Sequence, residues 1–160
     1  MKGIQLTQGK VALVDNEDYE YLNQWKWHVI KGHNTFYAIR NFRIHKCKRS
    51  KIYMHRLIMN PNKGMVIDHI DRCGLNNQKK NLRICTKSQN SMNSCLRLNS
   101  TTKYKGVYYD KILNKFRARI YIYKITKNIG SYIDPKDAAR AYNEAAIKHF
   151  GKFAQLNKVD

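Results

Sequence analysis

Residues 66–93 constrain this chain more than any other stretch, because they set an acid, a histidine and two asparagines at fixed intervals in otherwise basic text. Asp68 and His69 are adjacent and interrupt an apolar run of Met65, Val66, Ile67 and Ile70, a pattern expected where a strand ends. Residues 72–80, with Gly74, Asn76, Asn77 and the bases Arg72, Lys79 and Lys80, read as a polar loop. Leu82 and Ile84 mark a second short strand. Thr86 and Gln89 then have capping-box spacing, which starts a helix and sets Asn90 one turn into it. The order is strand, loop, strand, helix.

These residue types suit phosphodiester hydrolysis. That reaction needs a divalent cation to neutralise charge on the phosphate and leaving oxygen, and a base to activate water. Oxygen ligands suit Mg²⁺ or Mn²⁺, and Asp68 and the side-chain carbonyl of Asn90 offer two of them. His69, titrating near neutrality, is the natural general base. Neighbouring strand residues point to opposite faces, so Asp68 and His69 converge on one phosphate only where the strand bends or stops. Asn81 is expected to cross-link the loop and to hold the imidazole through its amide. The blander reading is a hydrogen-bonded Asp–His pair beside an Asn-rich loop.

The ordered set Asp68-His69, Asn81 and Asn90 resembles the HNH, or ββα-metal, endonucleases, in the phage homing-endonuclease branch whose third motif position is Asn. Flanking text agrees: Met54-His55-Arg56-Leu57 upstream, Asn76-Asn77 in the loop and Asn81-Leu82-Arg83 in the second strand. The better-known HNH type carries His at the third position. The oxygen ligand found here favours a hard cation over Zn²⁺ or Ni²⁺.

Charge points the same way. The 31 Lys and Arg against 11 Asp and Glu give a formal charge of +20, an excess that repels itself unless a polyanion is present. Asp15, Glu17, Asp18 and Glu20 crowd into one early turn, residues 21–67 hold no acid, and 72–109 again hold none. Asp68 is thus a carboxylate kept where electrostatics would prefer a base. Hydrophobic runs are too short for a membrane span, and no targeting segment is visible, so a cytoplasmic setting, a bacterial host's if phage-encoded, is expected. Cys47, Cys73, Cys85 and Cys95 form no C-x-x-C pair and indicate neither a disulfide framework nor a zinc site, although Cys47 with His45 is a conceivable mixed one.

Before the motif, residues 4–7 and 11–14 read as short strands around a turn at Gln8-Gly9-Lys10, and Asp15 caps a helical turn through Leu22. Trp25, Trp27 and Val29 alternate with polar residues, as do residues 36–40, which predicts a hairpin through 32–34; a third strand covers 52–54. Tryptophans at alternate positions are expected in the core, although base stacking is the other use for them. Residues 54–59 are apolar and end at a turn with Pro61. His55 is expected to pack beside the motif, and His28, His33 and His45 to be solvated.

After the motif, residues 94–103 lose periodicity and read as a linker whose Lys and Arg follow a DNA backbone. Strands are expected over 105–109, 115–124 and 126–132. In the second, Phe116, Ala118, Ile120 and Ile122 alternate with Arg117, Arg119, Tyr121 and Tyr123. Asp134-Pro135 caps a helix that Gly151 ends, and five alanines let it lie close on the sheet. The Arg and Tyr face is either ordinary solvated surface or a face for a major groove. Tyr104-Lys105-Gly106-Val107, the 115–120 strand, Ile129-Gly130, the 138–146 run and Leu156-Asn157 resemble the AP2 DNA-binding domain across nearly all of 103–157. That resemblance implies a sheet lying in the major groove, with Lys105, Tyr108, Arg117, Arg119, Tyr121 and Asn128 meeting DNA. The chain departs from the family at Phe116, where Trp is usual, at Arg119, where an acid is usual, and at Tyr108 and Tyr121, where arginines are usual. The family's target sequence therefore does not carry over.

The resulting expectation is an α+β chain: a β-rich module over 1–53, an HNH core over 54–95, a linker over 96–103 and an AP2-like domain over 104–157. Together the resemblances imply a homing-type endonuclease acting on double-stranded DNA with one Mg²⁺ or Mn²⁺ and no small-molecule cofactor, as a monomer or weak dimer. Its rivals are a DNA-binding regulator on a retired HNH scaffold and a basic RNA-binding protein.

Overall fold

The computed structural model describes residues 1–45, 48–96 and 100–159. The chain forms a mixed α+β structure of small antiparallel sheets and few helices, in two compact units, Met1–Asn90 and Ser91–Asp160. The division expected at 53/54 runs through the first unit. Cys47 and Arg97 lie outside the described residues. No helix among the described residues is long and apolar enough to cross a membrane.

In the first unit, β1 (Lys2–Gln5) pairs with β2 (Val11–Val14), and Gln8 (φ 61°) and Gly9 (φ 65°) turn the chain between them. Helix α1 (Asn16–Leu22) follows. β3 (His28–Lys31), β4 (Phe36–His45) and β5 (Lys48–Tyr53) form one antiparallel sheet in that order. The predicted third strand, at 52–54, is only the end of β5, which pairs back along β4 as far as His45↔Lys48. The predicted strand through Trp25 starts only at His28. Trp25 instead meets the Tyr21 ring edge-on at 4.7 Å and lies under the Arg40 guanidinium at 4.2 Å. Trp27 is in the core, 1% exposed, its Nε1 donating to Leu22 O at 2.8 Å.

Residues 54–59 form a helix, α2 (Met54–Met59), because Met54 and His55 find burial on one side while Asn60 in the left-handed region stops the turn. Met54 shares one core with Ile4, Val14, Leu22, Trp27 and Ala38, so the N-terminal strands and the motif-bearing segment have a common interior. β6 (Val66–His69) pairs with β7 (Leu82–Cys85), and α3 (Lys87–Met92) follows.

In the second unit, β8 (Val107–Asp110), β9 (Lys115–Ile122) and β10 (Ile125–Tyr132) make an antiparallel sheet with β9 central. Helix α4 (Pro135–Phe150) covers one face. Ala118, Ile120 and Ile122 are buried against Ala138, Ala139, Tyr142, Ala146 and Phe150. Each buried Ile contributes about 1.5–3 kcal/mol. Asp134 accepts from Lys136 N at 2.7 Å, Pro135 opens the helix and Gly151 at φ 50° ends it. The first strand begins two residues later than predicted. Asn157 takes up the Lys105 backbone, accepting from its N–H at 2.6 Å and donating to its C=O at 3.0 Å, and Gly106 sits at φ 77°.

Candidate active site

β6 ends at His69, and the strand register sets Asp68 opposite Arg83 and His69 opposite Leu82. Cross-strand partners share a face, which accounts for a buried ion pair. Arg83 Nε (2.7 Å) and Nη2 (2.5 Å) both meet Asp68 Oδ2. The Asp68 side chain is 5% and the Arg83 side chain 14% exposed, so water screens this pair little.

The loop from Ile70 to Lys80 is tied to itself by one acid and one amide. Asp71 accepts from Cys73 N–H (2.8 Å), Asn81 Nδ2 (2.9 Å) and Asn76 Nδ2 (2.7 Å). Burial works against its charge, yet those hydrogen bonds outweigh it and hold its pKa below the ordinary value. Asn81 accepts from Asp71 N–H at 3.0 Å and donates to Asn76 O at 2.8 Å. Asn81 therefore cross-links the loop, as expected of it.

The imidazole of His69 is held by a different amide. Its Nε2 lies 3.4 Å from Oδ1 of Asn77, a residue with no exposure at all. Around the ring stand His55 (centroids 5.1 Å apart, edge to face) and Tyr37 (5.9 Å), with Tyr53 packed on His55. Burial pushes the His69 pKa down, partly opposed by Asn77, Asp71 and Asp68. Burial drives His55 further, to about 3, helped by His69 and Arg56. Tyr37 is pushed up by burial, Tyr53 and Asp68.

The loop also leans on the N-terminal strands. Leu13 N–H donates to Leu75 O and Asn77 N–H to Leu13 O, both at 2.8 Å. Asp15 accepts from Lys79 N–H at 2.7 Å and from Gln78 Nε2 at 3.4 Å. Gly74 N–H donates to Thr35 Oγ1, and a Cβ at Gly74 would lie 2.5 Å from Phe36 O.

Thr86 and Gln89 form the expected reciprocal capping box: Thr86 N–H to Gln89 Oε1 at 2.9 Å, Gln89 N–H to Thr86 Oγ1 at 3.2 Å. Asn90 follows in the first turn of α3, exposed, its N–H on Thr86 O at 3.0 Å. The strand–loop–strand–helix unit so built carries its Asp-His at a strand end and its Asn on the helix that follows.

Residues 53–92 match the HNH endonuclease family. A protein of Acanthamoeba polyphaga mimivirus named as an uncharacterized HNH endonuclease is 31% identical over 157 residues, 96% of this chain and 78% of that protein. The chain belongs to the HNH endonuclease family. It is a nuclease. No solved structure matches it.

HNH nucleases typically use a divalent metal. Among the described residues no three His, Cys, Asp or Glu side chains gather into a metal cluster. The donors to weigh are instead the Asp68 carboxylate and the Asn90 amide oxygen, hard and few. That set fits a cation such as Mg²⁺ or Mn²⁺ that keeps waters and takes phosphate oxygens to complete its shell.

In the second unit, register places Tyr108 beside Arg117, Arg119 beside Asn128 and Tyr121 beside Thr126, all on the sheet face away from α4. Arg119 stacks on Tyr108 at 4.4 Å, and Tyr121 is 64% exposed. Two expected contact residues are otherwise engaged. Arg117 pairs with Asp110 at 3.2 Å, and Lys105 Nζ donates to Met92 O (2.7 Å) and Ser94 O (2.8 Å). The residues that sequence reasoning missed are Asn77, Arg83, Asp71 and Tyr37.

Proposed function

We propose that the chain is a metal-dependent, homing-type endonuclease that hydrolyses one phosphodiester of double-stranded DNA per visit. The observation that carries this is the order of the unit, a strand-end Asp68-His69 followed by a helix-borne Asn90, with the loop between the strands locked by Asp71 and Asn81. Asp68 and Asn90 would hold one Mg²⁺ or Mn²⁺, which would supply charge neutralisation at the phosphate and the leaving oxygen. His69, neutral at physiological pH, takes a proton from the attacking water as the water oxygen bonds to phosphorus. The bond from phosphorus to the 3′ oxygen breaks, leaving a 5′-phosphate and, after protonation, a 3′-hydroxyl. Arg83 holds the buried Asp68 in orientation through its two contacts to Oδ2, and Asn81 holds the loop shut.

Recognition belongs to the second unit, read as an AP2-like domain laid in the major groove. Arg119, Tyr108, Tyr121 and Asn128 form the contact face; Arg117 and Lys105 join it once their present partners are exchanged for DNA. One centre per chain makes the monomer or weak dimer a nicking enzyme, in the manner of phage homing enzymes working inside a cell.

Nicking of supercoiled plasmid pools is the test, with Mg²⁺ or Mn²⁺ and with chelator. Metal-dependent nicking lost in His69→Ala and in Asp68→Ala, with duplex binding kept by His69→Ala, is expected. Arg119→Ala should weaken duplex binding about tenfold, the range of one good polar contact. Nicking that survives both active-site substitutions, or that runs equally well in chelator, refutes the proposal.

A further inference from the structure

We infer that Asn77 is a positioning residue for His69: its side-chain carbonyl fixes the imidazole as the Nε2–H tautomer and makes Nδ1 the proton-accepting nitrogen. The inference rests on the reading of His69 as general base.

The amide of Asn77 has its direction set from behind. Nδ2 faces two acceptors, Leu75 O at 3.3 Å and Met54 Sδ at 3.5 Å. Turning the amide over would press Oδ1 against the Leu75 carbonyl, two acceptors with no proton between them, in a site without water contact. Oδ1 is therefore the atom that faces His69 Nε2, at 3.4 Å. A carbonyl oxygen can only accept, so the ring nitrogen opposite it carries the hydrogen, and in a neutral imidazole the other nitrogen is then the base. The separation is long for a hydrogen bond, as is common for catalytic pairs before substrate binds.

The backbone of Asn77 is held as firmly as its side chain. Its N–H donates to Leu13 O at 2.8 Å, so β2 sets where the amide stands. His55 and Tyr37 close on the ring from the side, restricting its rotation. Asn81, by contrast, spends its amide on Asp71 and Asn76 and leaves the imidazole to Asn77.

The experiment has two arms on the full chain. The first reads the tautomer without any substitution. A two-bond proton–nitrogen correlation spectrum of ¹⁵N-labelled protein at about pH 8.5, roughly two units above the ordinary imidazole pKa, is assigned by the signal lost in His69→Gln. The Nε2–H pattern is expected; an Nδ1–H pattern overturns the inference. The second arm follows Mn²⁺-supported nicking of supercoiled plasmid pools. Asn77→Leu, which keeps size and removes the acceptor, should lower kcat about a hundredfold with KM within about twofold, the scale of a lost orienting partner. Asn77→Asp, whose fully buried carboxyl in its protonated form keeps an acceptor for Nε2–H and a donor for Leu75 O, should recover to within about tenfold of wild type. Should Asn77→Leu fail to fold, the tautomer and the Asp variant decide alone. Nicking at the wild-type rate in His69→Ala would overturn the base reading and this inference with it. Nicking lost in His69→Ala but unaffected in Asn77→Leu would overturn this inference only.

Discussion

His55→Phe should flatten the acid sensitivity of the first unit. His55 is 8% exposed, ringed by Tyr53, Tyr37 and His69, and its Nδ1 is buried with no hydrogen-bond partner. Burial lowers its pKa from 6.5 to about 3 in the folded chain. Between those values the unfolded chain binds a proton that the folded chain does not. The stability that comes from a neutral His55 is thus complete above pH 6.5 and falls as pH falls toward 3. At about 1.4 kcal/mol per pH unit, the loss at pH 5 is about 2 kcal/mol. His69 shifts in the same direction, but it is present in both proteins and cancels in the comparison. Asp71 is depressed, so its contribution is lost only as pH falls below the ordinary carboxylate range, outside this window. Phe keeps a ring in the aromatic cluster and removes an orphaned polar atom, so stability near pH 8 should hold or rise. Both tryptophans of the chain, Trp25 and Trp27, lie in this unit, so urea titrations followed by their fluorescence report it alone. Wild type should lose about 2 kcal/mol more than His55→Phe between pH 8 and pH 5. Curves parallel within about 0.5 kcal/mol would show that His55 takes up its proton in the folded chain, and the reasoning from burial would fail.

Arg83→Met leaves the Asp68 carboxylate buried without its guanidinium and should cost the first unit about 3 kcal/mol in the same fluorescence titration; a loss under about 0.5 kcal/mol would mean that water already reaches the pair. Asp15→Ala removes the acceptor of the Lys79 N–H, and hydrogen exchange at that amide should quicken about tenfold while the β3–β4 ladder is unchanged. Gly106→Ala meets a positive φ of 77° and a Cβ position 2.8 Å from Arg119 O. Calorimetry should show the second unit weakened by about 3 kcal/mol, with the tryptophan signal of the first unmoved.

Local patterns were legible where a neighbour in sequence is a neighbour in space. The capping box at Thr86 and Gln89, the alternation of 116–122 and the Asp134-Pro135 start of α4 needed only spacing, and all three took the expected form. Asn81 was likewise readable, because the loop it closes spans only ten residues, from Asp71. The Asp68–Arg83 pair was not, since it depends on the β6–β7 register, and a loop of twelve residues leaves that register open. Asn77 was harder still. Nothing in an Asn-Asn pair distinguishes one from the other, and Asn77 is selected by Leu13, more than sixty positions earlier. The partners of Lys105 were also out of reach: the AP2 resemblance set it at a DNA-contacting position, while its ammonium meets two backbone carbonyls at and just past the end of α3.

The distribution of acids then has a physical explanation. In a chain of formal charge +20, a carboxylate reduces self-repulsion wherever it sits, so even scattering would serve stability best. Instead eight of the eleven acids stand at joints. Asp15 receives the Lys79 amide, Glu17 and Asp18 take the Lys79 ammonium, and Glu20 meets Lys2. Asp71 ties the loop, Asp68 faces Arg83, Asp110 faces Arg117 and Asp134 caps α4. The crowding of four acids at 15–20, puzzling in the sequence, places three of them, Asp15, Glu17 and Asp18, against the loop that carries Asn77. A polyanion supplies the missing counter-charge only when bound, so affinity for duplex DNA should fall steeply with salt while the active-site loop, held by its own acids, keeps its shape.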